Sequence, residues 1–160
     1  MTKPTTTMRN YLTKILLLLP VFCLATDFSR LAEGVALAES RNDPSAVGDN
    51  GKARGAYQMW QIAWQQTSGE RHKAGKKVYH FAYAHDAFVS REYAVDYLIW
   101  LERSLKTRLG RQPTFWEIYA GYARGLGNFE DEGYAYRNLP ARTKRAISVI
   151  AKHIGEPIPR

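Results

Sequence analysis

The feature that most constrains the fold is a long helical pattern across residues 86–109. Apolar side chains recur along it mostly three or four positions apart, which is the spacing of one face of an α-helix. They are Val89, Tyr93, Tyr97, Leu98, Leu101, Leu105 and Leu109. Such a stripe must be buried against other elements, and Gly110 can end the helix. Because no stretch shows the strict alternation of a strand, the sequence predicts an all-α fold.

Four other segments are predicted to be helical from their spacing and their caps. They are residues 26–40, residues 56–66, a helix capped by Thr114 with Glu117 three residues on, and a helix from Pro140 to Gly155. The intervening stretches, residues 42–55, 70–77 and 125–133, are predicted to be loops or connections. The chain of 160 residues therefore fits one domain of about five to seven helices.

Residues 1–25 carry the pattern of a secretory signal peptide. Three basic residues precede a short apolar run over residues 15–25, and Cys23 and Ala25 are small residues at a plausible cleavage point. We therefore predict a signal peptide over residues 1–25, a domain over residues 26–160, and export to the periplasm, the cell envelope or the medium. An uncleaved membrane anchor is the alternative. Cys23 is the only cysteine, so the domain is expected to be stable without a disulfide.

The charge of the chain limits the partners that it attracts. The net charge is +8, and basic surfaces attract nucleic acid, anionic lipids and anionic cell-wall polymers. An exported protein meets the last two more often than nucleic acid, so we expect peripheral contact with an anionic envelope, with residues 71–77 as one candidate surface. A helical domain that binds nucleic acid is a weaker alternative, which the signal-like N-terminus argues against. We expect a monomer.

Glu39 is the candidate catalytic residue because of its local sequence. It ends a helix-patterned stretch and precedes a glycine-rich turn that contains Gly51 and Gly55. An apolar helix wall and the negative end of the helix dipole both raise the pKa of a carboxyl, which suits it to protonate a leaving group. Cleavage of a glycosidic bond is one reaction that uses such an acid, and its common schemes need a second carboxylate. Asp49 is the nearest candidate, and Asp43 is another, although a turn role suits Asp43 better.

Two segments resemble the motifs of a known family. The first comprises Glu39-Ser40, Pro44, Ala46, Gly51, Gly55 and Gln58, and the second comprises Tyr122, Gly125, Gly127 and Asn128. Their order and approximate spacing resemble those of the soluble lytic murein transglycosylases, the goose-type-lysozyme-like proteins with an SLT domain. The resemblance implies a lysozyme-like single domain whose helices surround a substrate cleft.

The chain departs from the family pattern at two positions. Ala123 stands where the family has an asparagine, and Ala146 stands where a third motif, which here begins at Thr143, has a tyrosine close to the catalytic glutamate. Tyr134 and Tyr136 in the preceding loop are candidates to fill the same space. These departures motivate one alternative function, a non-catalytic glycan-binding module of the envelope with the same fold.

The resemblance implies cleavage of the β-1,4 bond between N-acetylmuramic acid and N-acetylglucosamine in peptidoglycan. It implies that Glu39 acts first as acid and then as base, while the N-acetyl group of the substrate assists and an internal hydroxyl closes a 1,6-anhydro ring. A lysozyme that uses water, with Asp49 as second carboxylate, is the close alternative. The candidates for substrate binding are Ser40, Tyr57, Gln58 and Tyr122.

The remaining residues suggest no cofactor. The four histidines, His72, His80, His85 and His153, have no metal-ligand spacing, and we expect no metal, nucleotide or other cofactor. Trp60 and Trp64 are four apart on one face of a predicted helix, where core packing is favoured over stacking on sugar. Trp100 and Trp116 are also predicted to lie in the core.

Overall fold

The computed structural model describes residues 26–159, so the predicted signal peptide lies outside the described residues. The described part is mainly helical, and the predicted all-α class is confirmed. Its six α-helices are α1 (Phe28–Ser40), α2 (Gln61–Lys73), α3 (Ala87–Leu109), α4 (Phe115–Arg124), α5 (Leu126–Asp131) and α6 (Ala141–Ile154). Short 3₁₀-helices cover Asp49–Gly51, Phe81–His85 and Tyr136–Asn138. No helix within residues 26–159 has the length and apolar character needed to cross a membrane.

Helix α3 is the centre of the core, as its apolar stripe predicts. Tyr93, Leu98, Leu101 and Leu105 are buried, and α1, α2 and α4 all pack against this helix. Asp86 begins the helix by accepting hydrogen bonds from two backbone N–H groups of the first turn. Helix α6 packs along α1 and also contacts α4. The site region therefore stands on a core in which apolar helix faces are buried against each other.

The capping box before α4 is confirmed. The Thr114 hydroxyl accepts a hydrogen bond from the backbone N–H of Glu117, and the Glu117 carboxylate accepts one from the backbone N–H of Thr114. The Glu117 carboxylate is also paired with Arg111, which lies just before the helix. These contacts satisfy the free N–H groups at the start of α4 and fix where the helix begins.

The stretch after α1 differs from its prediction, because it contains a small antiparallel sheet. Its strands are β1 (Val47–Gly48), β2 (Ala53–Arg54) and β3 (Met59–Trp60), in the order β1-β2-β3. Residues 42–55 were predicted to be loop throughout. Strands of two residues are too short to show alternation, which explains why the sequence did not reveal them.

The predicted bounds of the second helix are also wrong. The helix begins at Gln61 rather than at position 56, because Gln58 has a positive φ of 46° and β3 follows it. It continues to Lys73, so residues 70–73 are helix and not a connection. Arg71 is buried there, and its guanidinium is paired with Asp96 and Glu92 of α3. Residues 70–73 are polar, so the sequence did not indicate that they form a last helical turn, which ion pairs hold against the core.

Residues 125–133 were predicted to be a loop, but residues 126–131 form α5. Phe129 is fully buried and anchors this short helix against Trp116 and Tyr134. A six-residue helix has too few turns to show periodicity, so only its tertiary contact distinguishes it from a loop.

Gly55 fixes the sheet against the rest of the domain. Its φ is +72°, and a Cβ there would lie 1.8 Å from the backbone carbonyl oxygen of Ala84, just before α3. A side chain cannot fit at that distance. The close approach of backbone to backbone therefore accounts for this glycine of the first motif.

Candidate active site

Glu39 lies in the last turn of α1, and its carboxyl faces a cavity. The preceding turns of α1 are buried through Leu31, Val35 and Ala36, which keeps the helix rigid beneath it. Because the residue is close to the C-terminal end of the helix, the helix dipole disfavours a negative charge there. The local sequence therefore gives the carboxyl a fixed position and an environment that opposes its ionisation.

The hydroxyl of Tyr119 is the hydrogen-bond partner of this carboxyl. Tyr119 lies on α4, and its Oη donates to Glu39 Oε1 at 2.6 Å. Burial raises the pKa of Glu39 above its ordinary value of 4.5, and it outweighs the opposing effects of this hydrogen bond and of the Arg142 charge. Burial also raises the pKa of the Tyr119 phenol, and the nearby Glu39 carboxylate adds to that effect. Tyr119 therefore stays neutral and remains a donor.

The cavity beside Glu39 has a volume of about 490 Å³ and a polar lining. Four parts of the chain meet there: the end of α1, the sheet and its turn, α4, and the start of α6. The lining residues are Glu39, Asp49, Asn50, Lys52, Gln58, Trp60, Tyr119, Tyr122, Ala123, Arg124, Pro140, Arg142 and Thr143. The size is within the range of small-ligand sites.

Three other surface cavities among the described residues are larger, at about 680, 650 and 550 Å³. Arg71 faces the first, but ion pairs with Asp96 and Glu92 already occupy its guanidinium. The second lies on the other side of α1 and is bordered by Glu33 and Tyr57. We place the candidate site at Glu39, because a desolvated carboxyl faces open space there.

Gln58 and Ser40 hold the turn that forms one wall of the cavity. The Gln58 amide donates to the carbonyl oxygens of Gly55 at 2.9 Å and Ala46 at 3.2 Å. The Ser40 hydroxyl donates to the carbonyl of Ala56 at 2.8 Å and accepts from the backbone N–H of Asp43 at 2.9 Å. Gln58 also lines the cavity, whereas Ser40 is not among the lining residues.

The structure separates the two predicted tyrosines. Tyr122 lines the Glu39 cavity and donates its hydroxyl to the backbone carbonyl of Tyr57 at 2.6 Å. The Tyr57 side chain is buried and borders the cavity of about 650 Å³ on the far side of α1. Tyr57 thus meets the site only through its backbone.

Asp49 lies in the cavity and contacts Trp60 rather than Glu39. The Trp60 indole Nε1 donates to Asp49 Oδ2 at 3.1 Å, while Asp49 Oδ1 lies 3.9 Å from the Arg142 guanidinium. The Asp49 side chain is 42% exposed. Asp43 lies outside the cavity, where it accepts hydrogen bonds from Ser45 that hold its pKa below its ordinary value, as a turn residue does.

The prediction that Trp60 lies in the core is wrong. Trp60 is in β3, just before α2, and its side chain is 42% exposed on the edge of the cavity. Trp64 is buried, as predicted, and the structure shows that it stacks on Tyr93. The four-residue spacing does not place them on one helix face, because α2 begins only at Gln61.

The structure also shows where the two departures from the family pattern lie. Ala123 lines the cavity, so it leaves open space where the family has an amide side chain. Ala146 packs against the core, and neither Tyr134 nor Tyr136 is among the lining residues. The hydroxyl that contacts Glu39 comes instead from Tyr119 of α4.

Sequence reasoning missed two residues of the site, Tyr119 and Arg142. Tyr119 lies one turn before Tyr122, a predicted substrate-binding residue, and so shares its side of α4. Arg142 directly precedes Thr143, the first residue of the third motif, and both line the cavity. Proximity to motif residues was therefore the available signal.

Comparison with known proteins identifies the family. The family model described as "Transglycosylase SLT domain" matches residues 27–144, a range that includes every residue lining the Glu39 cavity. The chain therefore belongs to the SLT transglycosylase domain family, as the motifs indicated. Membership implies lytic transglycosylase activity in general and binding of peptidoglycan glycan strands. Comparisons with curated proteins and with solved structures returned no match.

Proposed function

We propose that this protein is an exported lytic transglycosylase that cleaves the β-1,4 bond between N-acetylmuramic acid and N-acetylglucosamine, with Glu39 as its acid and base. The observation that supports this best is the hydrogen bond of 2.6 Å from Tyr119 to a Glu39 carboxyl whose pKa is raised by burial. An oriented carboxyl whose pKa is raised, beside a cavity of about 490 Å³, meets the first requirement of glycosidic cleavage.

Glu39 acts twice in the proposed reaction. Its protonated carboxyl donates to the bridging oxygen as the glycosidic bond breaks, and the carbonyl of the substrate's N-acetyl group stabilises the positive charge that develops at C1. The resulting carboxylate then accepts the proton of the C6 hydroxyl as that oxygen bonds to C1 and closes the anhydro ring. Tyr119 donates to one carboxyl oxygen throughout and leaves the other free to carry the proton.

Asp49 has a positioning role in this proposal. It accepts the hydrogen bond of the Trp60 indole, so it holds the exposed ring at the edge of the cavity, where an aromatic face can stack on sugar. The lysozyme alternative is kept because Asp49 lines the same cavity as Glu39. In that alternative Asp49 would activate water, and its amide variant would be inactive.

We propose export on the strength of the signal pattern in residues 1–25. Peripheral contact with an anionic envelope is proposed to arise from the overall positive charge rather than from residues 71–77, because Arg71 and Lys76 are both paired with Asp96. Fractionation of cells that express the chain with and without residues 1–25 tests the proposed export. Loss of export on their removal is the expected result, and unchanged location would refute it.

The experiment that tests the function is a digest of purified peptidoglycan by the wild type and by Glu39→Gln, with products read by mass spectrometry. Thermal melting of both proteins checks that the variant is folded. We expect wild-type products lighter than hydrolysed muropeptides by the mass of one water, and none from the variant. Products with free reducing ends would establish the lysozyme alternative. Absence of products from folded wild type would leave the glycan-binding module.

A further inference from the structure

Two cations at the Glu39 cavity make, within residues 26–159, no more than one long ion pair between them. Arg142, in the first turn of α6, has a side chain that is 74% exposed, and its nearest acidic group is Asp49 at 3.9 Å. Lys52 is also exposed and makes no ion pair among the described residues. Its Nζ lies 5.5 Å from the centre of the Trp60 ring. Arg124, the third lining cation, differs because it is paired with Glu132 at 2.9 Å.

The charge balance of the cavity depends on the state of Glu39. When Glu39 is protonated, as an acid must be, Asp49 is the one negative charge that the lining residues contribute. It is opposed by Arg142 and Lys52, so positive charge is in excess in the active form. A guanidinium beside open space binds a carboxylate through two parallel hydrogen bonds, and an ammonium adds a point charge.

We propose that Arg142 and Lys52 form an anion subsite in the Glu39 cavity, which binds a carboxylate carried by the glycan substrate. The inference rests on the proposed function and names the part of the substrate that the site recognises. Peptidoglycan carries such groups on the lactyl and peptide substituents of its muramic acid residues. The subsite therefore favours strands with free carboxylates over strands in which the same groups are amidated.

Binding at this subsite also favours the acid form of Glu39. The groups that face Glu39 are Tyr119 and Tyr122 from α4, Asp49 from the turn and Arg142 from α6. Of these, only Arg142 brings a positive charge that lowers the pKa of Glu39. A substrate carboxylate on Arg142 offsets that charge, so the carboxyl is more fully protonated when substrate is bound.

The test measures binding, so that it does not depend on catalysis. Soluble glycan fragments with free carboxylates, and the same fragments after amidation, are titrated into full-length Glu39→Gln. The titration is repeated with Arg142→Gln added and, as the matched control, with Arg145→Gln added. Arg145 is exposed on the same helix, loses the same charge on substitution and does not line the cavity.

We expect Glu39→Gln to bind the free acid about tenfold more tightly than the amide, because amidation replaces a charged hydrogen-bond acceptor with a weaker, neutral one. Arg142→Gln should remove most of this preference, since only the Lys52 charge then remains, and Arg145→Gln should retain it. Equal binding of both fragments by Glu39→Gln, survival of the full preference in Arg142→Gln, or its equal loss in Arg145→Gln would each overturn the proposal.

Peptidoglycan cleavage by the wild type is measured separately, which distinguishes the two proposals. Cleavage without a carboxylate preference would refute the subsite and leave the lytic function intact. A preference that depends on Arg142, in a protein that cleaves nothing, would support the subsite and refute the lytic function.

Discussion

Removing the Tyr119 hydroxyl is the most direct test of how Glu39 is tuned. Tyr119→Phe deletes one oxygen atom and leaves the ring, which is buried and stacked against Tyr122. The only described hydrogen bond of that oxygen is the one to Glu39 Oε1 at 2.6 Å. The substitution therefore changes the environment of the carboxyl while the packing of the Tyr119 ring is kept.

The expected size of the effect follows from the two protonation states of Glu39. A hydrogen bond to a carboxylate contributes about 1.5–3 kcal/mol and one to a neutral carboxyl about 0.5–1.5 kcal/mol. The difference, about 1–1.5 kcal/mol, is lost from the ionised form, and about 1.4 kcal/mol corresponds to one pH unit. Tyr119→Phe should therefore raise the pKa of Glu39 further, by about one pH unit.

The assay is the pH dependence of kcat/KM for peptidoglycan cleavage, which reports groups of the free enzyme. Because Glu39 must be protonated to act as acid, its ionisation sets the alkaline limb, and we expect that limb to move to higher pH in Tyr119→Phe. Tyr122→Phe is the control, because its hydroxyl bonds a backbone carbonyl and not Glu39. A limb that stays in place or moves to lower pH in Tyr119→Phe would refute the reasoning. A carbon-13 titration of the carboxyl measures the same pKa without activity.

Three further substitutions test other parts of the site. Because folding raises the pKa of Glu39, ionisation of Glu39 destabilises the folded protein as the pH rises through that pKa. Below pH 4.5, Glu39→Gln and wild type should therefore have equal free energies of unfolding. At about pH 8 the variant should be more stable, by about 1.4 kcal/mol for each pH unit by which folding raises the pKa. Melting at both pH values checks this, and equal melting temperatures at high pH would contradict it. Asp49→Asn should reduce activity only modestly, since the amide oxygen still accepts from Trp60, and complete inactivity would favour the lysozyme alternative. Gly55→Ala should lower the free energy of unfolding by about 3 kcal/mol or more, because the added Cβ would clash with the Ala84 carbonyl. Denaturant unfolding measures this loss. A loss below about 1 kcal/mol, close to that of an ordinary surface substitution, would contradict the contact.

Elements with local signals were predictable from the sequence, and elements without them were not. Helix α3 has its stripe and caps in one segment, and the capping box of Thr114 and Glu117 is a four-residue pattern. The sheet and α5 have no such signal, because they are too short for periodicity. They are stabilised by contacts between residues that are far apart in the sequence, such as Gly55 with Ala84, and by the burial of Phe129.

The candidate site divides in the same way. The sequence by itself determined the helical class, the family, and the choice of Glu39, because each depends on patterns that are complete within single segments of the chain. Only the tertiary structure decided that Tyr119, 80 positions away, donates to Glu39, and that Asp49 contacts Trp60. Hydrogen bonds act over about 3 Å, and which distant side chains come that close is set by the burial of helix faces throughout the domain.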